Sequence, residues 1–335
     1  MHHPKSILTL AVCSLFIALA APAHAQEVSL GGARQKITTA SAVRARTAPD
    51  TTAAEVTRLK LGTVLSADAR SAEQVEVGGK KEYWYRVALP EGGGTGWVFG
   101  GLLADYDPAR RGETVRRIVE ERLKAETMSF DDGVDFYNFV EAALAGASGA
   151  ARGELELARL HAVNFAAGAM GADDQGRPSK PDFQKAHERE IYYHELAGGW
   201  AVKSEAFWEL EKKYRGTPLG DRIAWDAANA LYPGECESDE VCQFLRLQDT
   251  QGQYLGLYPT GAHAPEALQN LKEALASQEL DASLKNKSNE QYARQEREAL
   301  QKALAEVRAA VSKANAPERA EVLRRLEQLS PRGTR

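Results

Sequence analysis

Two hydrophobic rhythms divide the chain. Between about 35 and 105 the pattern is short and alternating. Val43-Arg44-Ala45-Arg46 alternates apolar and polar positions and stops at Ala48-Pro49-Asp50. A second run over 56–65 contains a turn at Leu61-Gly62-Thr63. Val75-Glu76-Val77 leads into the glycine pair Gly78-Gly79. Tyr83-Trp84-Tyr85-Arg86-Val87 is aromatic and β-branched, and Gly92-Gly93-Gly94 precedes Gly96-Trp97-Val98. Runs of this length separated by turn residues predict an all-β barrel or sandwich. A stretch of this size suits a small barrel of about five strands.

After Asp107-Pro108 the period lengthens. Val115, Ile118, Val119 and Leu123 repeat at helical spacing over 114–124. Similar patterns predict helices over 136–144, 155–167, 183–196 and 203–214, with a Gly- and Pro-rich loop at 171–182. Tyr214 is followed by Gly216, Pro218 and a helix through Ile223-Ala224-Trp225. Tyr258, 44 residues on, is followed by Gly261, Pro265 and a helix through Glu266-Ala267-Leu268. Residues 288–313 predict a long charged helix with an apolar stripe of Leu300, Leu304, Val307 and Val311. That stripe packs on its own domain or forms a short coiled-coil seam with a second chain.

The first residues read as an export signal. One cation, Lys5, precedes an apolar run over 7–21, which ends in the A-x-A pattern Ala23-His24-Ala25. Cleavage after Ala25 is expected, and the mature chain is expected in the periplasm or outside the cell. An uncleaved anchor, or a lipid on Cys13, are the competing readings. No later run is apolar and long enough to span a bilayer. Loss of the leader leaves Cys236 and Cys242, an even pair in a compartment where disulfides persist. On one continuous helix the two would lie about 9 Å apart along the axis, so a bond between them needs a bend over 236–241. Two reduced thiols are the alternative.

Composition narrows the function classes. The 335 residues are 43% hydrophobic and 27% charged, with a net charge of −5. A mildly acidic chain has no broad basic footprint for nucleic acid. His194-Glu195-Leu196-Ala197-Gly198 approaches the zinc-protease helix but places Gly198 where the second histidine belongs. His187 on the same expected helix would make a pair, too few ligands for a tetrahedral site. The glycines of 92–96 lack a following lysine, and Ser148 lacks the spacing of a nucleophile elbow. No catalytic residue, metal site or cofactor is expected.

Taken in order, Val43-Arg44-Ala45-Arg46-Thr47-Ala48-Pro49, Leu59-Lys60-Leu61-Gly62-Thr63, Trp84-Tyr85-Arg86-Val87 and Gly96-Trp97-Val98 with Leu102 resemble the bacterial SH3 domain family. The stretch 68–81 departs from it, being longer and more polar. The resemblance implies a barrel over 35–105 that binds cell-wall glycopeptide or a protein ligand. It also implies a ligand-contacting aromatic near Trp84. Alternation from a core Val87 turns Trp84 and Arg86 outward, and from a core Val98 turns Trp97 outward. Trp84, Arg86 and Trp97 are therefore the candidate ligand residues. The segment around Tyr258-Pro259 to Leu268 resembles the inter-repeat turn of periplasmic tetratricopeptide-like proteins, which implies a protein-binding helical scaffold.

The sequence thus predicts a leader (1–25), an SH3-like barrel (35–105), an all-α tetratricopeptide-like domain (108–285) and charged C-terminal helices (286–335). The function expected is a non-enzymatic envelope adaptor. A wall hydrolase targeted by its SH3-like domain, and a structural homodimer joined through the C-terminal helix, are the alternatives.

Overall fold

A computed structural model describes residues 27–173, 177–237, 239–276, 280 and 290–329. The leader and Cys13 lie outside the described residues. The described chain forms two compact units. One comprises 27–37, 44–58 and 64–105; the other comprises 38–43, 59–63 and the residues from Tyr106 onward.

The first rhythm becomes a sheet. Its strands are β1 (Glu27–Thr38), β2 (Val43–Arg46), β3 (Glu55–Leu59), β4 (Val64–Ser71), β7 (Trp84–Ala88), β8 (Thr95–Phe99) and β9 (Leu103–Asp105). Their order is β3-β2-β8-β7-β4-β1-β9. β5 (Val75–Val77) and β6 (Lys80–Glu82) form a separate hairpin turned by Gly78 and Gly79, both at positive φ. The sheet thus holds seven strands where about five were expected. β1 starts at Glu27, eight residues before the expected edge of the barrel. Alternation holds inside it: Leu65, Ala67, Val87 and Val98 are buried, while Val64, Ser66 and Ala88 between them are exposed.

The β4 register slips between Ala67 and Ala69 against β7, so Asp68 is an extra residue opposite β7. β1 slips against the same strand between Ser29 and Arg34. Such bulges re-aim a side chain and bend the strand.

The second unit is mostly helical. It contains α1 (Arg111–Arg122), α2 (Phe130–Leu144), α3 (Gly149–Gly168), α4 (Pro181–Ala186), α5 (Ser204–Tyr214), α6 (Pro218–Asn229) and α7 (Glu240–Leu247). A π-turn over Gln248–Gly252 runs on into α8 (Gln253–Leu257); α9 (Ala264–Ala276), α10 (Glu290–Lys313) and α11 (Arg319–Leu329) follow. α2 begins earlier than its hydrophobic period because Ser129 caps it, its Oγ accepting from Asp132 N at 3.2 Å. Gly133 of α2 lies so close to α3 that a Cβ there would meet the Ala166 backbone at 2.7 Å. That position requires glycine for the two helices to approach.

One expected helix is a hairpin. The 183–196 segment contains only the short α4, then β10 (Ile191–His194), which pairs antiparallel with β11 (Gly199–Val202). Ile191, Tyr192 and Tyr193 are β-branched or aromatic, and Gly198 supplies the turn at φ +62°. The unit is therefore not all-α, and His187 and His194 do not share a helix.

One apolar core joins α3, α5, α6, α7, α8, α9, α10 and α11. Leu300, Leu304, Val307 and Val311 all lie in it, at 4% exposure or less. Of the two readings of the stripe, packing on its own domain is the one seen, because α10 packs on α7, α8 and α11. Tyr258, after α8, donates its hydroxyl to Glu211 of α5 at 2.7 Å and accepts from Gly216 N at 3.4 Å. The second Tyr-Gly-Pro segment is thus tied to the turn of the first.

Cys236 and Cys242 are disulfide-bonded, with Cα atoms 5.4 Å apart. The bend lies before α7, where Asp239 accepts from Val241 N and Cys242 N and begins the helix after Cys236. The loop closed is six residues in sequence.

Candidate ligand-binding face of the β unit

β7 and β8 bring the three candidate side chains onto one face. Trp84 stands opposite Phe99 and Arg86 opposite Trp97 in the antiparallel register. Val87 and Val98 belong to the other face, as alternation requires. The assignment of faces is therefore correct, but the expected exposure is not. Trp84 is 3% exposed and Trp97 9%.

The cause is a second apolar cluster. Trp84, Trp97 and Phe99 pack together, with Val77 of β5 and Leu102 against them. The Trp84 and Phe99 rings meet edge to face at 5.7 Å. Lys80 of β6 donates to the Gly101 carbonyl at 3.1 Å and holds the hairpin near this end of the sheet. The polar stretch that departs from the family pattern is thus the segment that contributes to covering Trp84. Trp84 N donates to Ser71 Oγ at 3.0 Å, while its buried indole Nε1 has no acceptor among the described residues.

Arg86 is more open, with its side chain 33% exposed, but it is engaged. Its Nε and Nη2 donate to the two oxygens of Asp68, each at 2.9 Å, a planar two-point match. Its Nη1 donates to Glu27 at 2.8 Å. The hydrogen bond to Asp68 raises the Arg86 pKa from its already high value. The same bond holds the Asp68 carboxyl below the usual range. Arg86 is therefore a clamp between two carboxylates rather than a free cation.

The group carries one positive and two negative charges. Asp68 and Glu27 are both partly exposed, and carboxylate oxygens accept hydrogen bonds from amides, hydroxyls or amines. Chemically the face suits a neutral or amine-bearing ligand better than a carboxylate.

Asp68 and Glu27 were not among the sequence candidates. Asp68 had a signal, as an outward position in an alternating run, but the bulge that aims it at Arg86 leaves no mark in composition. Glu27 had none, lying 59 residues from Arg86 and before the expected first strand. Two further aromatic–cation pairs also escaped the pattern. Lys36 lies over the Tyr85 ring at 4.2 Å, and Arg70 over the Tyr83 ring at 3.9 Å.

Among the described residues, no three histidines, cysteines or carboxylates are grouped to hold a metal ion. None of the described helices is long and apolar enough to cross a membrane.

Residues 41–104 match the family model of the bacterial SH3 domain, so the chain carries such a domain over most of the β unit. Comparison of the chain with curated proteins and with solved structures gives no match.

Proposed function

We propose that this chain is a non-enzymatic adaptor of the bacterial envelope, acting after export in the periplasm or outside the cell. Its SH3 domain binds cell-wall glycopeptide, and its helical unit offers a platform to an envelope protein. The observation that carries this reading is the bacterial SH3 match over 41–104. The ligand lies over Arg86, Asp68 and Glu27. Glycopeptide suits the face because it presents hydroxyl, amide and amine donors to carboxylate acceptors. The disulfide between Cys236 and Cys242 agrees with an oxidising location.

Sedimentation of the mature chain with purified peptidoglycan sacculi tests the proposal. Wild-type protein is expected in the pellet. Asp68→Ala and Arg86→Ala are expected to leave the protein folded and reduce the bound fraction. Protein that stays in the supernatant at every sacculus concentration removes the wall ligand. Variants that sediment like the wild type remove this face.

A further inference from the structure

A cleft of about 780 Å³ opens in the helical unit, lined by α2, α3, α5 and the residues just before β10. Its volume falls among those of small-ligand sites. Its floor is apolar, with Leu144, Leu160 and Leu210 each nearly buried. Four cations and four carboxylates surround that floor.

The two signs are not equally available. Arg159 takes two of the carboxylates: its Nη1 and Nη2 donate to Glu190 at 2.6 and 3.1 Å, and its Nε to Glu141 at 2.5 Å. Glu156 receives Arg152 Nε and the Tyr214 hydroxyl, both at 3.1 Å, and Lys213 at 3.4 Å. Glu209 receives Lys212 at 2.5 Å. Every carboxylate is thus engaged by a cation, with Glu141 and Glu190 sharing Arg159.

The other cations keep unused donors. The Arg189 guanidinium has no hydrogen-bond or ion-pair partner among the described residues. Among the described residues Arg152 is bonded through Nε alone, which leaves both terminal nitrogens to donate. Lys213 holds one long contact and keeps donors to spare. An entering anion therefore meets unoccupied N–H donors beside an apolar floor.

The geometry points to a binding site for the C-terminal carboxylate of a peptide with an apolar last side chain. The carboxylate bonds Arg189 and the free end of Arg152, with Lys213 beside them. The last side chain covers Leu144, Leu160 and Leu210. Glu141 is engaged by Arg159 and Tyr137, and its remaining lone pairs accept a peptide N–H. A fatty acid would leave that acceptor facing hydrocarbon, and a bare phosphate would leave the floor uncovered. The site is independent of the wall-binding face.

Calorimetric titration of the full mature chain tests it. The probe is an acetylated tetrapeptide of three alanines and a C-terminal leucine, compared with the same peptide ending in a carboxamide. Saturable binding is expected for the acid, about tenfold weaker for the carboxamide, because a charge-assisted pair is lost. Arg189→Ala is expected to weaken the acid by a similar factor with an unchanged melting temperature, since that side chain supports no other group. Arg152→Ala gives a second, independent loss. No binding of the acid at millimolar concentration overturns the site. So does equal affinity for acid and carboxamide, wild-type affinity in Arg189→Ala, or inorganic phosphate binding as tightly as the peptide.

Discussion

The Trp84 and Phe99 rings lie edge to face with their centroids 5.7 Å apart, and Val77 of the β5–β6 hairpin packs on the cluster they share. This contact makes Trp84 a packing residue. Trp84→Ala is expected to cost about 3–5 kcal/mol, the range for emptying a large buried aromatic site. Thermal unfolding should show the SH3 transition falling by many degrees or vanishing. A variant that melts like the wild type would mean that the hairpin does not cover Trp84 in solution.

The division of the chain was legible because each half keeps one period over a long stretch. The strands from Val43 to Val98 and the helices from Val115 onward follow directly from those periods. What failed were contacts set by tertiary structure. Alternation gave the face of Trp84 correctly, yet a face is exposed only if nothing else packs there, and the hairpin over 75–82 does. Ile191-Tyr192-Tyr193 fell inside the helix expected over 183–196, because over so short a run a strand and a half-buried helix look alike. The stripe from Leu300 to Val311 looks the same whether it meets its own core or a second chain. Asp68 and Glu27 reach Arg86 through bulges, which a pattern of residue types does not encode.

The Arg86–Asp68 pair predicts an acid-dependent contribution to the SH3 domain. The hydrogen bond from Arg86 holds the Asp68 carboxyl below its unfolded value. Such a carboxyl stabilises the fold while ionised, so the contribution is present above the unfolded pKa, near 4, and is lost as pH falls below it. Both side chains are partly exposed, so solvent screening limits the effect to about 1 kcal/mol or less. Asp68→Asn should lower the melting temperature slightly at pH 7, by an amount that shrinks as pH falls below about 4. A difference that persists unchanged at pH 3 would show that the charge of Asp68 is not what stabilises.

The disulfide predicts a local rather than a global loss on reduction. Cys236 and Cys242 close a short loop at the start of α7, beside the Asp239 cap. Closing so short a loop contributes roughly 2 kcal/mol in the chain-entropy model. Exported protein analysed without reductant should be lighter by two hydrogens than its reduced form. The double variant Cys236→Ser with Cys242→Ser should remain folded and melt several degrees lower. Two alkylatable thiols in freshly isolated protein would show that the bond does not form in the cell.

Glu190 sets the acid limit of the helical unit. Burial alone would push its carboxyl up. Hydrogen bonds from His187 and from Arg159 outweigh that and bring it down to about 2. His187 Nδ1 lies 3.0 Å from one Glu190 oxygen, and Arg159 reaches both. His187 is itself nearly buried, with its ring between Tyr137 and Phe183. The ionised form is therefore the one the fold favours. Its stabilisation is fully present above the unfolded value near 4.3 and is lost as pH falls from there towards 2. The shift corresponds to roughly 3 kcal/mol when complete. Glu190→Gln keeps the shape but removes the charge that Arg159 faces. It should destabilise the helical unit at pH 7, and the gap to the wild type should close between pH 4 and pH 2. Chemical denaturation followed by helical circular dichroism at pH 7, 4 and 2.5 measures that gap. A constant gap across the series would place the stabilisation in packing rather than in the Glu190 charge.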